Sequence, residues 1–177
     1  MLGINEIKAL LSVRKRIVIS THNHPDGDAI GSSLGLYHFL HEQGHQVNIV
    51  TPSDYSADLH FLPHDDKIVI HSNNPEEAES LIATADILFA LDYNCSSRIA
   101  QVSDFFTAAS GTKILIDHHL YPKDFCDYSL SDTAASSTAE LIYHFISLLG
   151  FEDSLSTNSA NALYTGICTD TGRLKFG

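Results

Sequence analysis

Five short runs rich in Ile and Val recur along the chain: Arg16 to Ser20, Gln46 to Thr51, Lys67 to His71, Ile87 to Asp92 and Lys113 to Asp117. They are more continuous than alternating, so they read as strands covered on both faces. Helical spacing fills the gaps. Ala29 to Gln43 places Ile30, Leu34, Tyr37 and Leu40 on one side and has Gly44 as a stop. Pro75 to Ala85 carries Pro75 in its first turn, with Glu76, Glu77 and Glu79 suited to a helix N-terminus. Strand, helix, strand, repeated, predicts an α/β domain: a doubly wound, mostly parallel five-stranded sheet flanked by helices. After Asp117 the pattern turns helical. Ser137 and Glu140 form a capping box before Leu141, Ile142, Phe145, Ile146 and Leu149, Gly150 ends that helix, and a last helix runs from about Ser159 to Cys168, capped by Thr157 or Asn158.

A length of 177 residues allows one domain, or one with part of a second. With 44% hydrophobic and 18% charged residues there is material for a core, which excludes disorder as the main state. The net charge of −12 excludes the basic footprint of a protein that grips nucleic acid through phosphate contacts alone. An anionic substrate must then be met by something other than bulk positive charge. The 11 histidines, with abundant Asp, are the composition that oxygen and imidazole metal sites require. Cys95, Cys126 and Cys168 show no C-x-x-C spacing, so neither a disulfide framework nor a thiolate zinc site is indicated, and a reducing cytoplasm fits best. No run approaches the length of a membrane span, and the N-terminal apolar run is too short for a signal peptide.

Chemistry concentrates where strands end. His22-Asn23-His24-Pro25-Asp26-Gly27-Asp28 follows the first strand directly, where ligands bind in an open parallel sheet. Helix capping by Asp28, with Asp26 favoured by the helix dipole, accounts for the carboxylates but leaves His22 without a role. Asp92 closes the fourth run, and Asp117-His118-His119 closes the fifth. Alone, each reads as a turn, cap or hydrogen-bonded residue. Three such endings on one sheet edge read as a site. Asp170, within Thr169-Asp170-Thr171-Gly172, stands at a helix C-terminus, where a carboxylate is disfavoured unless a cation is near. Together His22, Asp26, Asp28, Asp92, His118 and Asp170 can hold two divalent cations roughly 3.5 to 4 Å apart, an arrangement suited to in-line displacement at phosphorus. Two imidazoles among carboxylates make manganese (Mn2+) the first choice, with iron or cobalt as alternatives.

His22-x-x-x-Asp26-x-Asp28, Asp92, Asp117-His118-His119 and Thr169-Asp170-Thr171-Gly172, in this order, resemble the four motifs of the DHH phosphoesterase superfamily. Pro25 to Ser32 and Ser136 to Leu141 resemble its oligoribonuclease (nanoRNase) and 3'-phosphoadenosine 5'-phosphate (pAp) phosphatase branch. The resemblance spans nearly the whole chain. It implies a manganese-dependent hydrolase, a phosphodiesterase or phosphatase that activates water with two metals. Its substrates would be short single-stranded oligoribonucleotides, pAp or linear dinucleotides such as pApA, with no membrane or duplex DNA partner; it allows a homodimer. By the resemblance His22, Asp26 and Asp92 hold one ion and Asp28, Asp92, His118 and Asp170 the other, Asp92 bridging. His119 is left to contact the scissile phosphate, and Asp117 orients the histidines. The branch normally carries a smaller C-terminal substrate-binding domain of the DHHA1 type, expected to be absent here, so that residues 1–177 are the DHH catalytic domain alone.

Arg98 is a candidate for phosphate, a site carboxylate or a surface ion pair, and Arg173 and Lys175 lie beside Asp170 in sequence. Ser136 to Thr138 could meet a phosphate at a helix N-terminus. Two rivals share the residues: an inorganic pyrophosphatase or exopolyphosphatase, and a non-catalytic nucleotide- or metal-binding module.

Overall fold

The computed structural model describes residues 3–175. Six strands form one sheet in the order β3-β2-β1-β4-β5-β6: β1 (Arg16–Thr21), β2 (Gln46–Thr51), β3 (Ile68–Ile70), β4 (Ile87–Leu91), β5 (Thr112–Asp117) and β6 (Tyr128–Ser131). Every neighbouring pair is parallel. The sixth strand corrects the expectation of five. Its sequence, Tyr-Ser-Leu-Ser, is half-buried throughout at the sheet edge, so it lacks the continuous apolar run that marks the inner strands.

The helices are α1 (Ile4–Leu11), α2 (Gly27–Glu42), α3 (Pro75–Thr84), α4 (Ser103–Ala108), α5 (Thr138–Leu149) and α6 (Thr157–Asp170). One face of the sheet packs Ile17, Ile19, Ile49, Phe89 and Ile116 against α2, α5 and α6; the other packs Val18, Val50, Leu88 and Leu115 against Ile82 of α3 and Phe106 of α4. Because β1 is flanked by β2 on one side and β4 on the other, chain order reverses between β1 and β4. That reversal opens a crevice at the strand C-termini.

Two helix starts move. Helix α2 starts at Gly27 and is capped by Asp26, whose carboxylate accepts from the Asp28 and Ala29 amides at 3.0 and 3.1 Å; Asp28 is not the cap. Helix α6 starts at Thr157 with Ser156 as its cap. The stops at Gly44 and Gly150 are as expected, both with left-handed φ. Gly31 of α2 and Gly166 of α6 let the two backbones touch: a Cβ on Gly31 would lie 2.7 Å from the Gly166 nitrogen.

Candidate metal centre

The loops after β1, β4 and β5, the start of α2 and the end of α6 deliver the site. His22 follows β1, Asp92 follows β4 and His118 follows β5. His22 Nε2 lies 3.5 Å from Asp92 Oδ2 and 4.0 Å from Asp26 Oδ1. His118 Nε2 lies 3.6 Å from Asp92 Oδ1, 3.6 Å from Asp170 Oδ2 and 3.9 Å from Asp28 Oδ2. Ligand atoms within 4.8 Å of one another join Asp92, His118 and His119 in one set and bring the six residues together as two groups, His22/Asp26/Asp92 and Asp28/His118/Asp170. Asp92 turns one carboxylate oxygen to each group. It does so from a left-handed backbone, φ 63°, that a non-glycine residue rarely adopts.

The imidazoles are oriented by their far nitrogens. His22 Nδ1 lies 2.9 Å from the Asn23 carbonyl, which can only accept, so Nδ1 carries the proton and Nε2 faces the carboxylates with its lone pair. His118 Nδ1 faces the Ala135 carbonyl at 3.4 Å in the same way. His119 differs: its Nδ1 is 2.8 Å from Asp117 Oδ1, a stronger claim than Asp92 Oδ1 at 3.6 Å. Asp117, fully buried, therefore orients His119 alone; the expectation that it orients both histidines is corrected.

Charge is unbalanced. Among the described residues, no Lys or Arg pairs with any of the four site carboxylates. Burial and the charge of Asp92 push the Asp28 carboxyl up to about 8, against hydrogen bonds from the Ala139 and Thr138 amides. Burial, then Asp92 and Asp26, raise Asp170, opposed by His118. Burial works against charge on His22, but the neighbouring Asp92 carboxylate, the Asn23 carbonyl and Asp26 outweigh it and raise its pKa. The hydrogen bond to Asp117 raises His119. Four convergent carboxylates and two correctly presented imidazoles without a counter-cation are a donor set that fits divalent metal.

Thr138, expected among the residues that could meet a phosphate, serves the site carboxylates instead. The first amides of α5 are not free for phosphate: Thr138 and Ala139 donate to the Asp28 carboxylate at 2.7 and 2.9 Å, and the Thr138 hydroxyl donates to Asp92 Oδ1 at 2.9 Å. No sequence pattern links positions 110 residues apart. Ser137 caps α5 as expected, but Glu140 returns to the Ser136 amide, one residue earlier than in the standard capping box. Arg98 uses its carbonyl, accepting from the Asn23 amide at 2.8 Å and tying the β4 loop to the β1 loop. Arg173 and Lys175 line a separate groove of about 730 Å³ with Phe61 and Tyr164. The cleft over the site, about 510 Å³, is lined by Asn94, His118, His119, Leu120, Tyr121 and Asp170.

Residues 16–167 match the DHH family, N-terminal domain. The chain belongs to the DHH family. It is 37% identical over 169 residues to the bifunctional oligoribonuclease and PAP phosphatase NrnA of Thermus thermophilus, covering 96% of this chain and 47% of that protein. NrnA of Bacillus subtilis is 32% identical, with 97% and 51% covered. The chain thus spans about half the length of the curated relatives it matches. Among solved structures, an exopolyphosphatase-related protein from Bacteroides fragilis superposes with a TM-score of 0.96 at 42% identity, covering 98% of this chain and 51% of that one. The exonuclease RecJ bound to manganese superposes with a TM-score of 0.57 at 17% identity over 96% of this chain and 44% of that one, a likeness of fold. The family match ends three residues before Asp170, the ligand candidate contributed by the end of α6. No helix among the described residues is long and apolar enough to cross a membrane.

Proposed function

We propose that this DHH domain is a manganese-dependent phosphoesterase hydrolysing phosphate esters of short oligoribonucleotides, pAp or linear dinucleotides such as pApA. The observation that carries the reading is Asp92, one oxygen turned to His22 and the other to His118, between two groups of metal-ligand type. The first position would be held by His22, Asp26 and Asp92, the second by Asp28, Asp92, His118 and Asp170. Two divalent ions held there would acidify a water and neutralise charge on the phosphoryl group.

The protein's own groups do the rest. His22 and His118 present Nε2 because their other nitrogens face carbonyls. His119 donates Nδ1–H to Asp117, leaving Nε2 as the free nitrogen of a ring that lines the cleft. Asp117 also favours the imidazolium form, so His119 can donate to a phosphoryl oxygen and offset its charge. Asn94 steadies the cleft wall: its side-chain amide donates to the Leu120 carbonyl and its carbonyl accepts from the Lys123 amide, both at 2.7 Å.

Oligoribonucleotide and pAp chemistry is favoured by the names of the relatives, two NrnA proteins at 37% and 32% identity. A second reading, hydrolysis of polyphosphate or pyrophosphate, is favoured by the Bacteroides fragilis structure, whose description names exopolyphosphatase. The experiment runs pAp, pApA, a short RNA and pyrophosphate in parallel with added manganese, measuring released phosphate and mononucleotide. Turnover of the nucleotides above pyrophosphate is expected; pyrophosphate as the preferred substrate would establish the second reading. No manganese-dependent turnover of any of the four would contradict both.

A further inference from the structure

We propose that Thr138 is a positioning residue that locks Asp92 into its two-sided orientation and so sets how tightly a pair of divalent ions is held; the inference rests on the metal reading above. Thr138 is fully buried at the first position of α5. Two of its atoms serve two carboxylates. Its hydroxyl donates to Asp92 Oδ1 at 2.9 Å, and its amide donates to Asp28 Oδ2 at 2.7 Å.

Asp92 needs such a partner because little else fixes it. Its backbone is left-handed, and the imidazoles of His22, His118 and His119 stand 3.5 to 3.6 Å from its oxygens, too far for a firm hydrogen bond. The Thr138 hydroxyl fixes Oδ1 on the His118 side, which obliges Oδ2 to face His22. A carboxylate held this way can bridge; one left to turn can close on either imidazole and serve a single ion. Asp28 is held independently by the Thr138 and Ala139 amides and by the Ser32 hydroxyl at 3.2 Å, so removing the hydroxyl alone addresses Asp92.

The test uses Thr138→Val, which keeps the shape and the backbone donor but not the hydroxyl, and Thr138→Ser, which keeps the hydroxyl. Manganese binding is followed by calorimetry and by electron paramagnetic resonance, where a bridged pair gives an exchange-coupled spectrum. Partners behind a ligand are worth about 10- to 100-fold in metal affinity. Thr138→Val is therefore expected to bind the second ion about 10- to 100-fold more weakly and to lose the coupled spectrum at a concentration that saturates the wild-type protein, and Thr138→Ser to restore both. Thr138→Ala is the fallback should the valine variant fail to fold. A coupled spectrum with wild-type affinity in a folded variant lacking the hydroxyl would overturn the role of Thr138 while leaving the metal pair intact. A wild-type protein that never shows two coupled ions would instead fail the metal reading, and this inference with it.

Discussion

The packing of α6 against α2 and α5 makes a quantitative demand on Gly166. A Cβ there would sit 2.7 Å from Ala139 Cβ and 2.9 Å from Asp28 Oδ1. Neither neighbour can swing away: Ala139 has no rotamer to change, and Asp28 Oδ1 accepts from Ala139 and Ser32. Overpacking of this kind costs roughly 1–3 kcal/mol, against which Ala gains about 1 kcal/mol over Gly in helix propensity. Because both contacts are well inside ordinary van der Waals range, the upper part of that range applies, and Gly166→Ala should lose about 1–2 kcal/mol. At this chain length that is a fall in Tm of about 2–8 °C. Gly35→Ala is the comparison away from the carboxylates: its Cβ would press on Leu163 Cδ2 and lie 2.6 Å from Leu163 Cγ inside the core, so it too is expected to destabilise. The assay is urea unfolding of both variants, with manganese titration of the folded proteins. Gly166→Ala should lower the midpoint and, unlike Gly35→Ala, weaken metal binding through Asp28. A Gly166→Ala protein as stable as wild type with unchanged manganese affinity would refute the packing argument.

Other consequences concern charge and chemistry. Asp28 is raised to about 8 by burial and Asp92, so between pH 4 and 8 the metal-free fold binds more protons than the unfolded chain; its stability should fall as pH rises through that window, and the increment in Tm from saturating manganese should be larger at pH 8 than at pH 6. Thermal melts with and without metal measure both. Asp92→Ala removes an oxygen from each group and should abolish manganese-dependent hydrolysis, whereas Asp117→Asn should keep metal bound and lower turnover by misorienting His119, a split read by comparing binding isotherms with kcat. With the chain covering about half of its relatives, a form extended to their length is expected to hydrolyse a dinucleotide faster than these 177 residues at saturating manganese, because contacts remote from the reacting centre position it; equal rates would place every needed contact within this domain.

Much of this arrangement is legible in the sequence because inner parallel strands must be apolar on both faces and their C-termini must share an edge. The runs Ile87 to Asp92 and Lys113 to Asp117 announce β4 and β5, and the polar residues that close and follow them can only lie in the crevice. Strand β6 is illegible for the converse reason: an edge strand with half-buried Tyr128 and Leu130 between serines needs no apolar run. Helix α1 has its own signal, Ile4, Ile7, Leu10 and Leu11 at helical spacing. The cap of α2 was ambiguous because Asp26 and Asp28 are equally good capping types. What distinguishes them is that Asp28 is claimed by the amides of α5, a contact between distant segments that exists only after folding. The role of Thr138 is illegible for the same reason: its place at a helix N-terminus suggests phosphate, and its contacts with Asp28 and Asp92 exist only after folding.

On the proposed function, Asp92 stands between two bound ions. Anomalous diffraction near the manganese absorption edge, from crystals grown with manganese, tests it most directly. Two peaks about 3.5–4 Å apart are predicted, one beside His22 and Asp26 and the other among Asp28, His118 and Asp170, with the Asp92 carboxylate between them. A single peak, or two peaks away from Asp92, would contradict the account.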